Sequence, residues 1–249
     1  LSTNHILMIG MIVTFILTFF LLEHPFSFLP SDQGRAFAVN GSLSKGKLRG
    51  VGFIFVLCFL ISSVLFLPID VEYVIYAILL FAMMISGYLD DASKTPWNEY
   101  KKGLIDLVIS VVAVLTYMNF NSTTICFGAD EIVIPKALFL ILGVILIWVS
   151  VNVTNCTDGV DGLCASLCSV TLLAFGVLFA PILQKYAMAN FLFLSVLFAY
   201  LYFNSSPSSM LMGDAGSRAL GFYIAVIALK STHPFIYILS LIHISEPTR

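Results

Sequence analysis

Ile134-Pro135-Lys136-Ala137-Leu138-Phe139-Leu140-Ile141-Leu142-Gly143-Val144-Ile145-Leu146-Ile147-Trp148-Val149-Ser150-Val151-Asn152 is the stretch that decides the fold. After Lys136 it holds no charge. A helix needs about 20 apolar residues to cross a bilayer, whereas a membrane-barrel strand needs about 10 residues of alternating polarity. Phe139–Val149 does not alternate, so the run reads as a spanning helix. Seven further stretches have the same character: 6–22, 51–69, 73–89, 103–120, 163–181, 187–203 and 218–242. The predicted fold is all-α, a polytopic transmembrane bundle of about eight helices.

Composition agrees. The 249 residues are 59% hydrophobic and 10% charged, against about 25% charged in soluble domains. The net charge of −2 says little about partners, and no basic tract suggests a nucleic-acid partner. Residues 6–22 have no basic flank and no small-x-small cleavage site, so they read as a retained helix rather than a signal peptide. Residues 1–242 form one expected transmembrane domain. His243-Ile244-Ser245-Glu246-Pro247-Thr248-Arg249 reads as a foreign tail and is set apart. Five cysteines are scattered, and their odd number argues against a full disulfide framework. Cys164 and Cys168 share a helix face, but with no CxxC or His pair they read as packing residues.

Orientation follows from Lys and Arg in the loops. Numbering the segments in order, one set of connections holds Arg35, Lys45, Lys47, Arg49, Lys94, Lys101, Lys102 and Arg218; the other holds Lys136, Lys185 and Lys230. The first set is therefore expected in the cytoplasm and the N-terminus outside. That topology gathers three acidic clusters on the cytoplasmic face: Asp90-Asp91, Asn155-x-x-Asp158-x-x-Asp161, and Gly213-Asp214.

These clusters are the candidate chemistry. Carboxylates at membrane ends turn to water, a cation or each other. Adjacent Asp90 and Asp91 repel unless a cation bridges them or one holds a proton and acts as a base; the plain alternative is a solvated helix end. Lys94 and Lys102 suit either salt bridges or phosphate contacts. Asn155, Asp158 and Asp161 are spaced by three, which would place them on one side of a helical turn; a capped Asp/Asn/Gly turn is the simpler reading. Asp214 opens the last segment, where it would cap the helix and meet its positive end. Asn204 ends the preceding segment and would face the same pocket. Asp106 is either a partner buried in the bundle or a residue just inside the cytoplasmic end, and the second is preferred. The loop between the first two segments carries Gly34, Gly41, Gly46, Gly50 and Gly52 among basic residues, which suits an anionic ligand or a plain connector. Hard oxygens beside lysines point to Mg²⁺ on a diphosphate.

Leu89-Asp90-Asp91, Asn155-Cys156-Thr157-Asp158-Gly159-Val160-Asp161-Gly162-Leu163 and Met212-Gly213-Asp214-Ala215-Gly216-Ser217 together resemble the polyprenyl-phosphate N-acetylhexosamine-1-phosphate transferase superfamily. Thr157, and Ala219-Leu220-Gly221 after Ser217, favour its muramoyl-pentapeptide branch. The resemblance implies a Mg²⁺-dependent transfer of phospho-MurNAc-pentapeptide from UDP-MurNAc-pentapeptide to undecaprenyl phosphate in a bacterial inner membrane, giving lipid I and UMP. The attack would be direct or through an aspartyl intermediate. It gives Asp90 the lipid phosphate, Asp91 a place near metal and phosphate, and Asp214 the metal. Asn155, Asp158 and Asp161 surround the nucleotide sugar, Asn204 lines the pocket, and Lys94, Lys102 and Lys45 are basic residues near the phosphates. A homodimer is a further implied partner. Leu211 stands where the family has an aromatic residue, and Gly46-Lys47-Leu48-Arg49-Gly50-Val51-Gly52 departs from its usual loop. The family's ten helices and histidine-bearing loop extend beyond the eight segments read here, so the sequence reads as a truncated enzyme. The rival readings are a GlcNAc-1-phosphate transferase, a cation-coupled transporter and an inactive fragment. A transporter would break its helices at the bilayer midplane and show an internal repeat, and neither is evident.

Overall fold

A computed structural model describes residues 2–24, 26–32, 45–93, 95, 97–127 and 130–238. The helices are α1 Thr3–Glu23, α2 Gly52–Phe66, α3 Val71–Asp91, α4 Glu99–Phe120, α5 Lys136–Thr157, α6 Leu163–Leu178, α7 Ala180–Leu183, α8 Lys185–Asn204 and α9 Gly213–Lys230. Residues 234–238 are helical again. Among the described residues, α1, α3, α4, α5 and α8 are long and apolar enough to cross a membrane. The chain is a multi-pass, all-α membrane protein. The apolar α2 and α6 are shorter, at 15 and 16 residues. α9 carries Asp214, Arg218 and Lys230. It enters the bundle by being buried in protein rather than by facing lipid.

Three expectations need correction, and one further element joins them. The segment read as 218–242 starts earlier, at Gly213, and is broken after Lys230. Thr232 adopts a left-handed φ of 61° and Pro234 follows, which together end one helix and start the next. The segment read as 163–181 stops at Leu178, and Pro181 sits in the first turn of the short α7. A hairpin of β1 Thr124–Phe127 and β2 Asp130–Val133 lies between α4 and α5. Its β-branched and aromatic residues suit a pleated strand. Cys126 N–H ties it to Thr232 O at 2.8 Å, beside the break after α9. Finally, α5 runs to Thr157, so Asn155 is on the helix, Asp158 caps it and Asp161 lies beyond. With Gly162 at φ 75°, the chain turns before α6, and the three residues do not share one helical face. The tail 243–249 lies outside the described residues.

α9 is the axis. Every residue from Gly213 to Leu229 is buried, the pattern of a helix sealed on all sides. Small residues let its neighbours approach, as between membrane helices generally. A Cβ at Gly87 of α3 would lie 2.3 Å from Asp214 O, and one at Gly52 of α2 would lie 2.1 Å from Gly216 N. On the α5 side, a Cβ at Gly221 would lie 2.7 Å from Ser150 O, and Ser150 Oγ donates to Gly221 O at 2.6 Å. Apolar rings fill the rest, with Phe59 stacked on Phe193 at 4.2 Å between centroids.

The far end of the axis is pinned by charge. Lys230 donates to Glu72 Oε2 at 3.0 Å and to Asn121 Oδ1 at 2.7 Å, joining the ends of α9, α3 and α4. Lys185 pairs with Asp70 nearby. The acidic clusters lie at the opposite end.

Gly87→Ala should therefore part α3 from α9. Overpacking of this kind costs about 1–3 kcal/mol, read as a lower midpoint of thermal unfolding in detergent. Gly103→Ala, whose added methyl would meet only the Trp148 ring at 3.9 Å, should not lower the midpoint, since alanine is the better helix residue.

Candidate active site

The contact between α3 and α9 places Asp91 beside the start of α9. Gly213 has φ 68°, which glycine adopts without strain, and a Cβ there would strike Asp91 Oδ2 at 2.3 Å. Met212, at the N-cap position, makes no side-chain cap. The cap comes from another helix: Ala215 N–H donates to Asp91 Oδ2 at 3.0 Å. Asp214 was expected to cap α9 itself; it sits instead in the first turn, still at the positive end of the helix dipole.

Two cations then join the acids. Lys102 Nζ lies 2.6 Å from Asp90 Oδ2 and 3.2 Å from Asp214 Oδ2. Arg49 Nε lies 2.8 Å from Asp91 Oδ1, Nη2 3.3 Å from Asp214 Oδ1, and Nη1 3.4 Å from Asp32 Oδ1. Trp97 N–H donates to Asp90 Oδ1 at 2.7 Å. So the structure brings together Asp90, Asp91, Asp214 and Lys102 from three helices. It adds Arg49 and Asp32, which the sequence reading did not select. Burial alone would lower the pKa of the Arg49 guanidinium, but Asp91, Asp214 and Asp32 together hold it above its ordinary value. Among the described residues, Asp32, Asp90, Asp91 and Asp214 gather around Arg49 and Lys102.

The other candidates fall into a neighbouring ring. Asn155 Nδ2 donates to Ser217 Oγ at 3.0 Å, one turn along α9 from Asp214. Asp158 is buried at the end of α5. Asp161 Oδ2 accepts from Ser208 N–H at 2.9 Å and lies 3.7 Å from Lys47 Nζ. Slight burial would raise the Asp161 pKa, but these donors hold it below the ordinary carboxylate value. Lys47 and Arg49, rather than the exposed Lys45, reach inward from the first loop. Lys94 lies outside the described residues. Asn204 was expected to face the pocket, yet both ends of its amide serve the backbone. It accepts from Gly162 N–H and donates to Met210 O, each at 2.9 Å. It latches two loops together. The first loop is itself fastened to the α8–α9 connection, with Leu211 N–H donating to Leu48 O at 2.8 Å and Val51 N–H to Leu211 O at 3.2 Å. Leu211 is buried there by that pairing.

Asp106 also differs from expectation. It is 1% exposed and paired with Arg218, itself 2% exposed. Arg218 had been counted as a loop cation; it lies within α9, one turn past Asp214. The guanidinium stays in the bundle because Asp106 supplies its counter-charge.

Among the described residues, no group of three or more His, Cys, Asp and Glu side chains is poised to hold a metal ion. The hard oxygens of Asp91 and Asp214 fit Mg²⁺ nonetheless. That ion takes one or two carboxylates and completes its shell with substrate phosphates and water.

Residues 73–232 match the glycosyl transferase family 4 domain. The chain is 35% identical to the phospho-N-acetylmuramoyl-pentapeptide-transferase of Treponema pallidum strain Nichols, over 93% of this chain and 70% of that protein. It is 28% identical to the protein of the same name from Halalkalibacterium halodurans, over 95% of this chain and 78% of the relative. A third relative of that name, from Microcystis aeruginosa, is 31% identical over 73% of this chain and 53% of its own length. The chain belongs to glycosyl transferase family 4, an enzyme family of phosphoglycosyl transfer.

Asp106→Asn should leave the Arg218 charge buried and unpaired, at a cost of about 3–5 kcal/mol. Replacing the pair together, Asp106→Leu with Arg218→Met, should recover most of that loss in chemical unfolding.

Proposed function

We propose that this family 4 enzyme transfers phospho-MurNAc-pentapeptide from UDP-MurNAc-pentapeptide to undecaprenyl phosphate, forming lipid I and releasing UMP. The observation that carries the reading is the meeting of Asp90, Asp91 and Asp214 around Lys102 and Arg49. The names of the Treponema, Halalkalibacterium and Microcystis relatives support the substrate assignment.

Phosphoryl transfer asks mainly for positioning and charge neutralisation. Asp91 and Asp214 are the residues that would hold Mg²⁺, which when bound would neutralise the diphosphate and ease departure of UMP. Lys102 and Arg49 are placed to meet phosphate oxygens, Arg49 in a two-point fork. Asp90, fixed by Trp97 N–H and Lys102, orients the lipid phosphate. An oxygen of that phosphate attacks the sugar-bearing phosphorus; the bond from that phosphorus to the UMP oxygen breaks, and UMP leaves with the electron pair. The attack is direct, or it passes through an aspartyl intermediate on one of Asp90, Asp91 and Asp214. Asn155, Asp158 and Asp161 line the approach for the nucleotide sugar.

The lipid tail has a candidate path. An apolar groove of about 380 Å³ runs along α5 and is lined by Phe139, Leu142, Leu146, Val153, Leu229 and Phe235. From Phe139 to Val153 the helix rises about 21 Å, ending two residues before Asn155. A chain lying there would bring its phosphate to the acidic end, on the cytoplasmic side of the inner membrane, with the N-terminus outside.

Asp214→Asn should abolish Mg²⁺-dependent release of UMP, measured by nucleotide chromatography with the protein in lipid nanodiscs; wild-type turnover would remove Asp214 from the site. Offered both nucleotide sugars with undecaprenyl phosphate, the enzyme should form product from UDP-MurNAc-pentapeptide and none from UDP-GlcNAc. The reverse preference would assign the GlcNAc-1-phosphate reaction.

A further inference from the structure

Arg49 has a part beyond phosphate binding, and the argument for it rests on the metal reading above. It touches carboxylates on three separate segments: Asp32 in the first loop, Asp91 at the end of α3 and Asp214 at the start of α9. Its side chain is 27% exposed, against 1%, 0% and 10% for those three. Arg49 is therefore the more exposed member of each of these pairs, and the acids lie deeper than its side chain. The backbone beneath it is fixed, because Leu48 and Val51 on either side are hydrogen-bonded to Leu211. The side chain can leave the acids while the loop stays in place.

We propose that Arg49 is a built-in counter-ion. It neutralises Asp91 and Asp214 in the empty enzyme, gives those oxygens up to a divalent cation, and passes its hydrogen bonds to the diphosphate of the incoming nucleotide. Each exchange has a physical reason. Adjacent buried carboxylates without a cation would repel or take up protons. A small divalent ion and a guanidinium compete for the same carboxylate oxygens, and their like charges disfavour joint occupancy. A guanidinium freed beside a diphosphate finds there the planar two-point acceptor that its fork matches. The consequence is ordered loading. Cation binding is held weak until a diphosphate arrives to receive Arg49, so metal and nucleotide bind cooperatively.

The test is Mn²⁺ binding to the full chain in detergent micelles, with free Mn²⁺ counted by electron paramagnetic resonance, with and without UDP. In Arg49→Gln, Mn²⁺ alone should bind at least about tenfold more tightly than to wild type. The tightening that UDP adds in wild type should largely vanish. Arg49→Lys keeps the charge but cannot span three carboxylates, so its Mn²⁺ affinity should lie between the two. Unchanged or weaker Mn²⁺ binding in Arg49→Gln overturns the proposal. If that variant does not fold, Arg49→Lys decides: a rise of a few-fold supports the proposal and wild-type affinity defeats it. Arg49→Gln behaving as wild type while Asp214→Asn loses Mn²⁺ would leave the metal site standing without this role for Arg49. Wild type binding no Mn²⁺ under either condition would end both.

Discussion

One close contact governs this molecule: the crossing of α3 over the start of α9, made at Gly87 and Gly213 without room for a single extra carbon. Lipid tails are as apolar as leucine, so membrane helices associate through close fit rather than through escape from water. The glycines allow that fit, and it brings the Asp91 carboxylate to the bare N–H groups that open α9. A buried helix start needs such an acceptor, and Met212 offers none. Packing, capping and the meeting of Asp91 with Asp214 are thus consequences of the same approach.

Charge is confined to the two ends of this axis. At one end Glu72, Lys230 and Asn121 bind α3, α4 and α9 together. At the other, four carboxylates share Arg49 and Lys102. The Asp106–Arg218 pair lies one turn inside the acidic end and is closed to solvent. The two ends differ in kind. Lys230 and Glu72 satisfy one another, which suits a fixed strut. At the acidic end, among the described residues, Arg49 is more exposed than each acid it pairs with, which suits a site that exchanges partners.

Much of this was legible in the sequence, and for reasons that also explain what was not. Long apolar runs such as 134–152 admit few structures in lipid, so α1, α3, α4, α5 and α8 could be found from length alone. The acids stood out because charge is rare in such a chain. Helix ends were harder. Asn155 could not be seen to lie on α5, nor Asp158 to cap it, because polar residues at a membrane surface are equally at home in a loop. The break at Thr232 depends on one left-handed residue. Arg218 looked like a loop cation, since only a partner distant in sequence, Asp106, makes its burial bearable. Arg49 was hidden by its company: four basic residues occupy one glycine-rich loop, and spacing does not tell which of them turns inward. The pairing of Leu48 with Leu211 decides that, and such long-range pairing has no local signature.

The central claim is that side chains from α3 and α9 hold one divalent ion together with the diphosphate of a nucleotide. Electron–nuclear double resonance on the protein loaded with Mn²⁺ and UDP addresses it directly. The account predicts one Mn²⁺ per chain coupled to ³¹P of the nucleotide, with that coupled signal lost when Asp91 and Asp214 are both changed to Asn. Phosphorus coupling that survives the double change, or bound Mn²⁺ that carries none, would contradict it.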